Sequence, residues 1–497
     1  MTSFIKSLLL ACTSITLFLN TSCKQNQSEI SDEQYHIRIY DKNPFYWEYK
    51  GKPVLLLGGS SMDNLFNYPD IADELDLIQS VGGNYVRNTM SSRKPENPWP
   101  HFKLENGLYD LDQWNEEYWD RFDTFLQLCY ERDIIVQIEI WDPHDYFKTQ
   151  ALRPWGPTPG LRGWESCPFN PDLNINYTEE ESGLDSDIDY YPTRLPSGHP
   201  FFYSIPELKD LPVARKYQEA FVDKMLSISF NYPNVLYCMN NETGEPPEWG
   251  EYWAKYIRKK AREEDKDVYL ADMRRWVNLY AEEHTRILHD RVHFDFFEIS
   301  QNTQNSGQSH YDQIMYIRDQ IVDYPKPLNN IKIYGGRNVL KGEEDGINES
   351  TKRFWRNIFG GIASSRFHRE GTTYEAVKEE PLAHGIGITE LAQLHIRSMR
   401  MYTDEMNIFS CAPSNHLLSN REHNEAYCLA EEGKQYALYF PDGGEVVIDL
   451  SGSATNMNIR WLDILNSEWL ESQELKGNRE VRISAPGTGQ WAALILP

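Results

Sequence analysis

The chain has 497 residues, 40% of them apolar and 13% aromatic, which is enough for one large domain plus a smaller one and too apolar for a disordered chain. Its net charge of −26, with no basic run, excludes a nucleic-acid partner whose phosphates need neutralising. Seven widely spaced cysteines, with no CxxC or HExxH, signal neither a disulfide framework nor a metal site, and no cofactor motif is present.

Residues 1–22 read as a secretory leader: Lys6, an apolar run over 7–19, then Asn20-Thr21-Ser22 before Cys23. This ending resembles a bacterial lipobox, whose cysteine becomes the lipidated first residue. The resemblance implies a membrane anchor on Cys23 and a place in the bacterial cell envelope, at the outer membrane or in the periplasm. Residues 23–35 are polar beyond the cysteine and read as a tether.

From residue 36 the chain alternates strand and helix patterns. Lys50-Gly51 reads as a hairpin turn, and 54–57 as a buried strand ending in Gly58-Gly59-Ser60-Ser61. A helix capped by Asp70 stops at Gly82-Gly83, and a strand follows at 84–88. Residues 112–132 carry Trp114, Tyr118, Phe122, Phe125, Leu126 and Cys129 at helical spacing. The strand 134–141 comes next, then further strands near 235–239, 268–272, 294–299, 331–334 and 362–366. Helices fall near 212–229, 251–264, 274–288, 311–321, 351–359 and 386–402. Eight strands alternating with helices predict an α/β fold, a (β/α)8 TIM barrel over 36–410. No GxGxxG opens the first strand–helix turn, which disfavours a doubly wound sheet. The loop from Asp142 to about 212 is long enough to shape a cleft at a barrel mouth. After Met406, short alternating runs separated by Pro-Gly turns predict a small all-β sandwich over 411–497.

The apolar strand at 235–239 breaks into Asn240-Asn241-Glu242, polar residues at the end where a barrel carries its active face. An acid beside an amide suits glycoside chemistry: the acid protonates a leaving oxygen and the amide holds a sugar hydroxyl. Period two puts Gln137, Glu139 and Trp141 on the inner face of the strand 134–141, and Arg87 on the inner face of its neighbour. Arg87 suits a carboxylate partner, and Glu139 is costly inside a barrel unless paired or functional. Gln301 after strand six, and Arg366 and His368 at strand eight, join the candidates for binding substrate.

These motifs resemble clan A glycoside hydrolases, which have a (β/α)8 barrel, an Arg after strand two and an Asn-Glu pair after strand four. Here those are Arg87 and Asn241-Glu242. The resemblance implies that Glu242 is the general acid/base and that Asn241 contacts the sugar. The order of Gly82-Gly-Asn-Tyr-Val-Arg87, Asp295-Phe-Phe-Glu-Ile-Ser-Gln301, Lys326-Pro327, Tyr439-Phe-Pro-Asp-Gly-Gly444, Arg460-Trp461 and Ala485-Pro-Gly is similar to bacterial barrel proteins with a C-terminal domain labelled collagen-binding.

Strand seven departs from that pattern. Clan A places its nucleophilic Glu there, whereas this chain has 328–335 without a carboxylate and Lys332 nearest the expected place. Glu139, Asp272, Glu298 and Glu370 are alternatives for the second carboxyl, with Glu139 favoured by its inward face, and loss of the usual nucleophile leans toward inversion. Lys332 suggests a substrate carboxylate or sulfate. The expectation is therefore a lipid-anchored glycoside hydrolase with a carbohydrate substrate, Glu242 being its acid with a raised pKa. The alternative is a carbohydrate-binding lipoprotein with a degenerate barrel site. A protein-binding adhesin rests only on the tail's label.

Overall fold

The computed structural model describes residues 36–92, 94–148, 162–188, 196–335, 346–369 and 385–497. The leader, Cys23, the tether and Glu370 lie outside the described residues.

The chain is a mixed α/β fold followed by a strand-rich C-terminal region. Among the described residues, eight short strands alternate with eight helices of eight residues or more. The strands are β1 (Leu56–Gly59), β2 (Tyr85–Thr89), β3 (Ile135–Trp141), β4 (Val235–Asn240), β5 (Leu270–Ala271), β6 (Phe297–Glu298), β7 (Leu328–Asn329) and β8 (Ser364–Phe367). The helices are α1 (Ile71–Ser80), α2 (Glu116–Glu131), α3 (Pro212–Ser229), α4 (Pro247–Glu263), α5 (Glu282–His289), α6 (Gly307–Gln320), α7 (Gly346–Phe359) and α8 (Glu390–Asp404).

The strands pair in parallel as β2-β3-β4-β5, β6-β7 and β8-β1. Backbone hydrogen bonds outside these ladders join the groups. Asn84 donates to Leu57 at 2.8 Å, Asp295 to Leu270 at 2.8 Å, and Ala363 to Leu328 at 2.9 Å. The neighbour order thus runs from β1 through β8 and returns to β1.

Residue choice explains the best-formed elements. In α2 the buried set Tyr118, Trp119, Phe122, Phe125, Leu126 and Cys129 forms one helical stripe, and β3 is buried along its whole length. The predicted hairpin forms between Trp47–Tyr49 and Lys52–Val54. Lys50 and Gly51 both take positive φ, 51° and 71°, as a two-residue turn requires. Its Trp47 reaches under the strands, donating to Asn329 at 3.0 Å and meeting Tyr269 and Phe296 edge-on.

Two predicted elements move. The ladder of strand seven lies at Leu328–Asn329, ahead of the expected 331–334, although Ile333 still bridges Phe367. Asn329 and Asn330 read as loop residues but are buried: the Asn329 amide meets Trp47, Tyr85 and Gln137, and the backbone N–H of Asn330 donates to Ser364. The helix expected from 274 begins only at Glu282, because Arg274 is held extended in a bridge with Thr243.

The C-terminal region holds two antiparallel sheets. One contains β9 (Tyr427–Glu431), β10 (Gln435–Phe440), β12 (Asn456–Asp463) and β14 (Trp491–Leu496), and the other contains β11 (Glu445–Asp449) and β13 (Glu480–Ser484). Buried residues of both, among them Leu438, Ile448, Ile459 and Ile483, form one cluster. The region is locked onto α6, α7 and α8. Tyr439 stacks on Trp355 at 5.5 Å, Tyr427 meets Tyr311 at 4.5 Å, and Tyr402 donates to the Ala493 carbonyl at 2.5 Å.

Candidate active site

The strands carry a layered set of buried polar side chains that rises to their C-terminal ends. In the lower layer Tyr85 donates to Gln137 at 2.6 Å, and Gln137 donates to Glu298 at 3.0 Å. Burial pushes the Glu298 carboxyl up to about 7, against the pull of its hydrogen bonds from Ser300 and Gln137.

Above it Arg87 is gripped by Asp63 and Glu139, one carboxylate on each terminal nitrogen. Burial alone would lower the guanidinium, but Glu139 and then Asp63 outweigh it and hold the group charged. Asp63 also meets Arg369 at 3.2 Å and His368 at 3.6 Å. Burial holds His368 neutral, far below the usual imidazole range, and its ring meets Tyr334 edge-on at 4.5 Å.

The upper layer is built on β4 and the chain after β7. Asn241 donates to Asp142 at 3.0 Å, and its carbonyl accepts a hydrogen bond from Lys332. Lys332 also donates to Glu242 Oε1 at 2.8 Å, and Tyr334 donates to the same oxygen at 2.9 Å. Lys332 is 1% exposed and Glu242 is 30% exposed. Among the described residues no hydrogen bond engages Glu242 Oε2. Glu242 stands at φ 47°, a left-handed conformation uncommon for a residue with a Cβ.

The electrostatics reverse one expectation. Burial would raise the Glu242 carboxyl, but the charge and hydrogen bond of Lys332, then His144 and Tyr334, outweigh it. The carboxyl sits far below the usual carboxylate range. Glu242 in the free protein is a carboxylate, not the protonated acid that the sequence suggested.

Other candidates are revised by their surroundings. Glu139 faces inward with Arg87, as period two required, but it is fully buried and one oxygen is committed to that arginine. It lies opposite Cys238, two residues before Asn240 on β4, and its Oε1 has no hydrogen-bond partner among the described residues. Trp141 does not face the interior. Its ring lies between Phe221 of α3 and Trp249 and Trp253 of α4, at 5.4, 5.7 and 5.0 Å, and is fully buried. Its cross-strand partner Asn240 leans the same way and accepts from Trp249 at 3.0 Å, so no indole face is offered to a sugar. Arg366 is fully buried and donates to the Ile331 carbonyl at 2.6 Å and to Ser60, so it braces strands. Burial, then repulsion from Arg87, brings it down to about 10. Lys332 is not open to a substrate anion, because Glu242 and Asn241 already occupy its ammonium. Gln301 is buried with its amide nitrogen lacking a partner among the described residues.

Tyr334, Asp63 and Asp142 were not singled out from the sequence. Tyr334 shares the face of Lys332 by period two, and Asp142 follows directly on β3, so both carried a signal. Glu251, Asp290 and His293 bring possible metal ligands within 4.8 Å of one another. Arg286 takes up Glu251 at 2.7 Å, and Asp290 pairs with His293 Nδ1 at 2.6 Å, so these carboxylates are already paired.

No family model matches the sequence, and no curated protein matches it significantly. Solved structures do. A structure described as a glycoside hydrolase aligns with a TM-score of 0.60 at 11% identity, over 93% of this chain and 97% of that one. A family 5 glycoside hydrolase from Bacteroides vulgatus also gives 0.60, at 13% identity over 93% and 94%. A family 5 mannosidase from Rhizomucor miehei gives 0.50 at 13% identity, over 76% of this chain and 99% of that one. At these identities the likeness is one of fold.

Proposed function

We propose that the chain is a glycoside hydrolase acting on an oligosaccharide or polysaccharide, with Glu242 at the reacting centre. The cycle of eight parallel strands is read as a (β/α)8 barrel over 36–410, and the two C-terminal sheets as a sandwich over 411–497. A barrel of this kind gathers its chemistry at the C-terminal strand ends, where Glu242 stands.

One observation carries the reading. Glu242 has one oxygen anchored by Lys332 and Tyr334, while the other has no hydrogen-bond partner among the described residues, on a partly exposed side chain. That is the geometry of a carboxylate poised to attack or to take a proton from water. Its left-handed backbone, which costs roughly 1–2 kcal/mol in an L-residue, supports a functional position over a passive one. Held ionised, Glu242 enters the reaction as base or nucleophile.

Mannosides are the first substrates to try, because one fold neighbour is a mannosidase. The test is release of new reducing ends from a panel of dissected glycans by the full chain. A carbohydrate-binding protein without hydrolysis is the second reading. Lys332 favours it, since it stands where clan A has a carboxylate and already neutralises Glu242. That reading predicts retained glycan and no product. Anchoring through Cys23 belongs to the same proposal, and the mass of the mature N-terminus from cells tests it.

A further inference from the structure

We propose that Asn241 is a positioning residue, clamped between Asp142 and Lys332 so that it holds the lysine ammonium on Glu242. This rests on Glu242 as the reacting carboxylate for its consequence, but the geometry stands by itself.

The orientation of the amide follows from its neighbours. Asp142 Oδ1 accepts the backbone N–H of His144 at 3.2 Å, so this oxygen is an acceptor and faces Asn241 Nδ2 at 3.0 Å. Lys332 has only donors, so it must face the amide oxygen. One orientation satisfies both sides. The backbone N–H of Asn241 fixes it further, donating to the Trp141 carbonyl at 3.0 Å. Asn241 is 3% exposed, with its carbonyl and one amide N–H taken by the protein. One lone pair of that carbonyl and one of its two amide hydrogens are thus committed to the protein.

Lys332 in turn is held at two points. An unrestrained lysine loses rotamer entropy when pinned to one carboxylate, and a second acceptor fixed in advance lessens that loss. The groups acting on Glu242 are Lys332 and Tyr334 from the β7 side and His144 from the turn after β3. Lys332 also acts on Glu298 and His368. Asp142 joins this group through the hydrogen bond that it accepts from Asn241.

The test is a substrate-free titration of the Glu242 carboxyl in the full chain, by difference infrared spectroscopy assigned against Glu242→Gln. Lys332→Gln should raise the apparent pKa of Glu242, and Asn241→Leu should raise it by about one unit or more. Asp142→Leu provides a sign test that a merely structural role would not move, and it substitutes if Asn241→Leu fails to fold. Removing a negative charge would by Coulomb's law lower Glu242, whereas release of the Asn241 clamp raises it. An upward shift in Asn241→Leu or Asp142→Leu supports the clamp. An unchanged Glu242 in folded Asn241→Leu, a downward shift in Asp142→Leu, or no shift in Lys332→Gln overturns it. The titration needs no glycan, so it can fail while product analysis still upholds the proposed activity.

Discussion

Lys332 Nζ lies 2.8 Å from Glu242 Oε1, with the lysine 1% exposed and the glutamate 30% exposed. The pair brings together the end of strand four and the chain after strand seven, and it sets the charge of the candidate centre. A carboxylate is presented outward by a cation held inside.

The pair should appear in the acid stability of the protein. The folded Glu242 carboxyl is depressed, so the unfolded chain binds more protons and stability falls as pH drops below the ordinary glutamate range, near about 4.3. In Lys332→Gln burial is no longer offset, and that loss should shrink or reverse. Urea unfolding at several pH values between about 3 and 6 checks it. Parallel pH profiles for the two proteins would rule the pair out as a source of stability.

Glu298 should act in the opposite sense. Its folded pKa of about 7 exceeds the unfolded value, so its contribution is fully present below the unfolded pKa and is lost as pH rises through about 7. Glu298→Gln removes the titration, and its one carbonyl can accept from either Gln137 or Ser300. The variant should lose less stability than the parent between pH about 5.5 and 8, read as the shift in Tm. An equal shift would place the titration elsewhere.

Arg87 neutralises two buried carboxylates, so Arg87→Met should cost about 3–5 kcal/mol, as expected when one partner of a buried ionic group is removed. Chemical denaturation measures it. A loss below about 1 kcal/mol would mean that Asp63 and Glu139 find other partners or take up protons at little cost.

The parts legible in the sequence were those where one physical rule acted alone. The stripe of α2 and the run of β3 follow from periodicity, and the inward turn of Arg87 and Glu139 follows from period two. Strand seven was misplaced because Asn329 and Asn330 look like loop residues, and their burial depends on Trp47 and Ser364, which are remote in sequence. Trp141 failed because period two was carried to the last residue of its strand, where the chain turns through Pro143 and side chains lean toward α4. The protonation of Glu242 was misjudged because it was inferred from the acid role, without the cation brought up from strand seven.

Trp141 supplies a separate check. Packed among Phe221, Trp249 and Trp253, it should behave as a core residue. Trp141→Ala should cost about 3–5 kcal/mol, and Trp141→Phe much less. Glycan affinity of the folded Phe variant should match the parent by calorimetry. A selective loss of affinity would return Trp141 to the substrate site.

The most direct test of the proposed activity compares the full chain with Glu242→Gln on the same glycan panel, with products resolved by chromatography. The parent should release sugar, and the variant should be slower by about 10²-fold or more while remaining folded. Near-normal turnover by Glu242→Gln, or glycan bound by the parent with no product formed, would contradict the assignment.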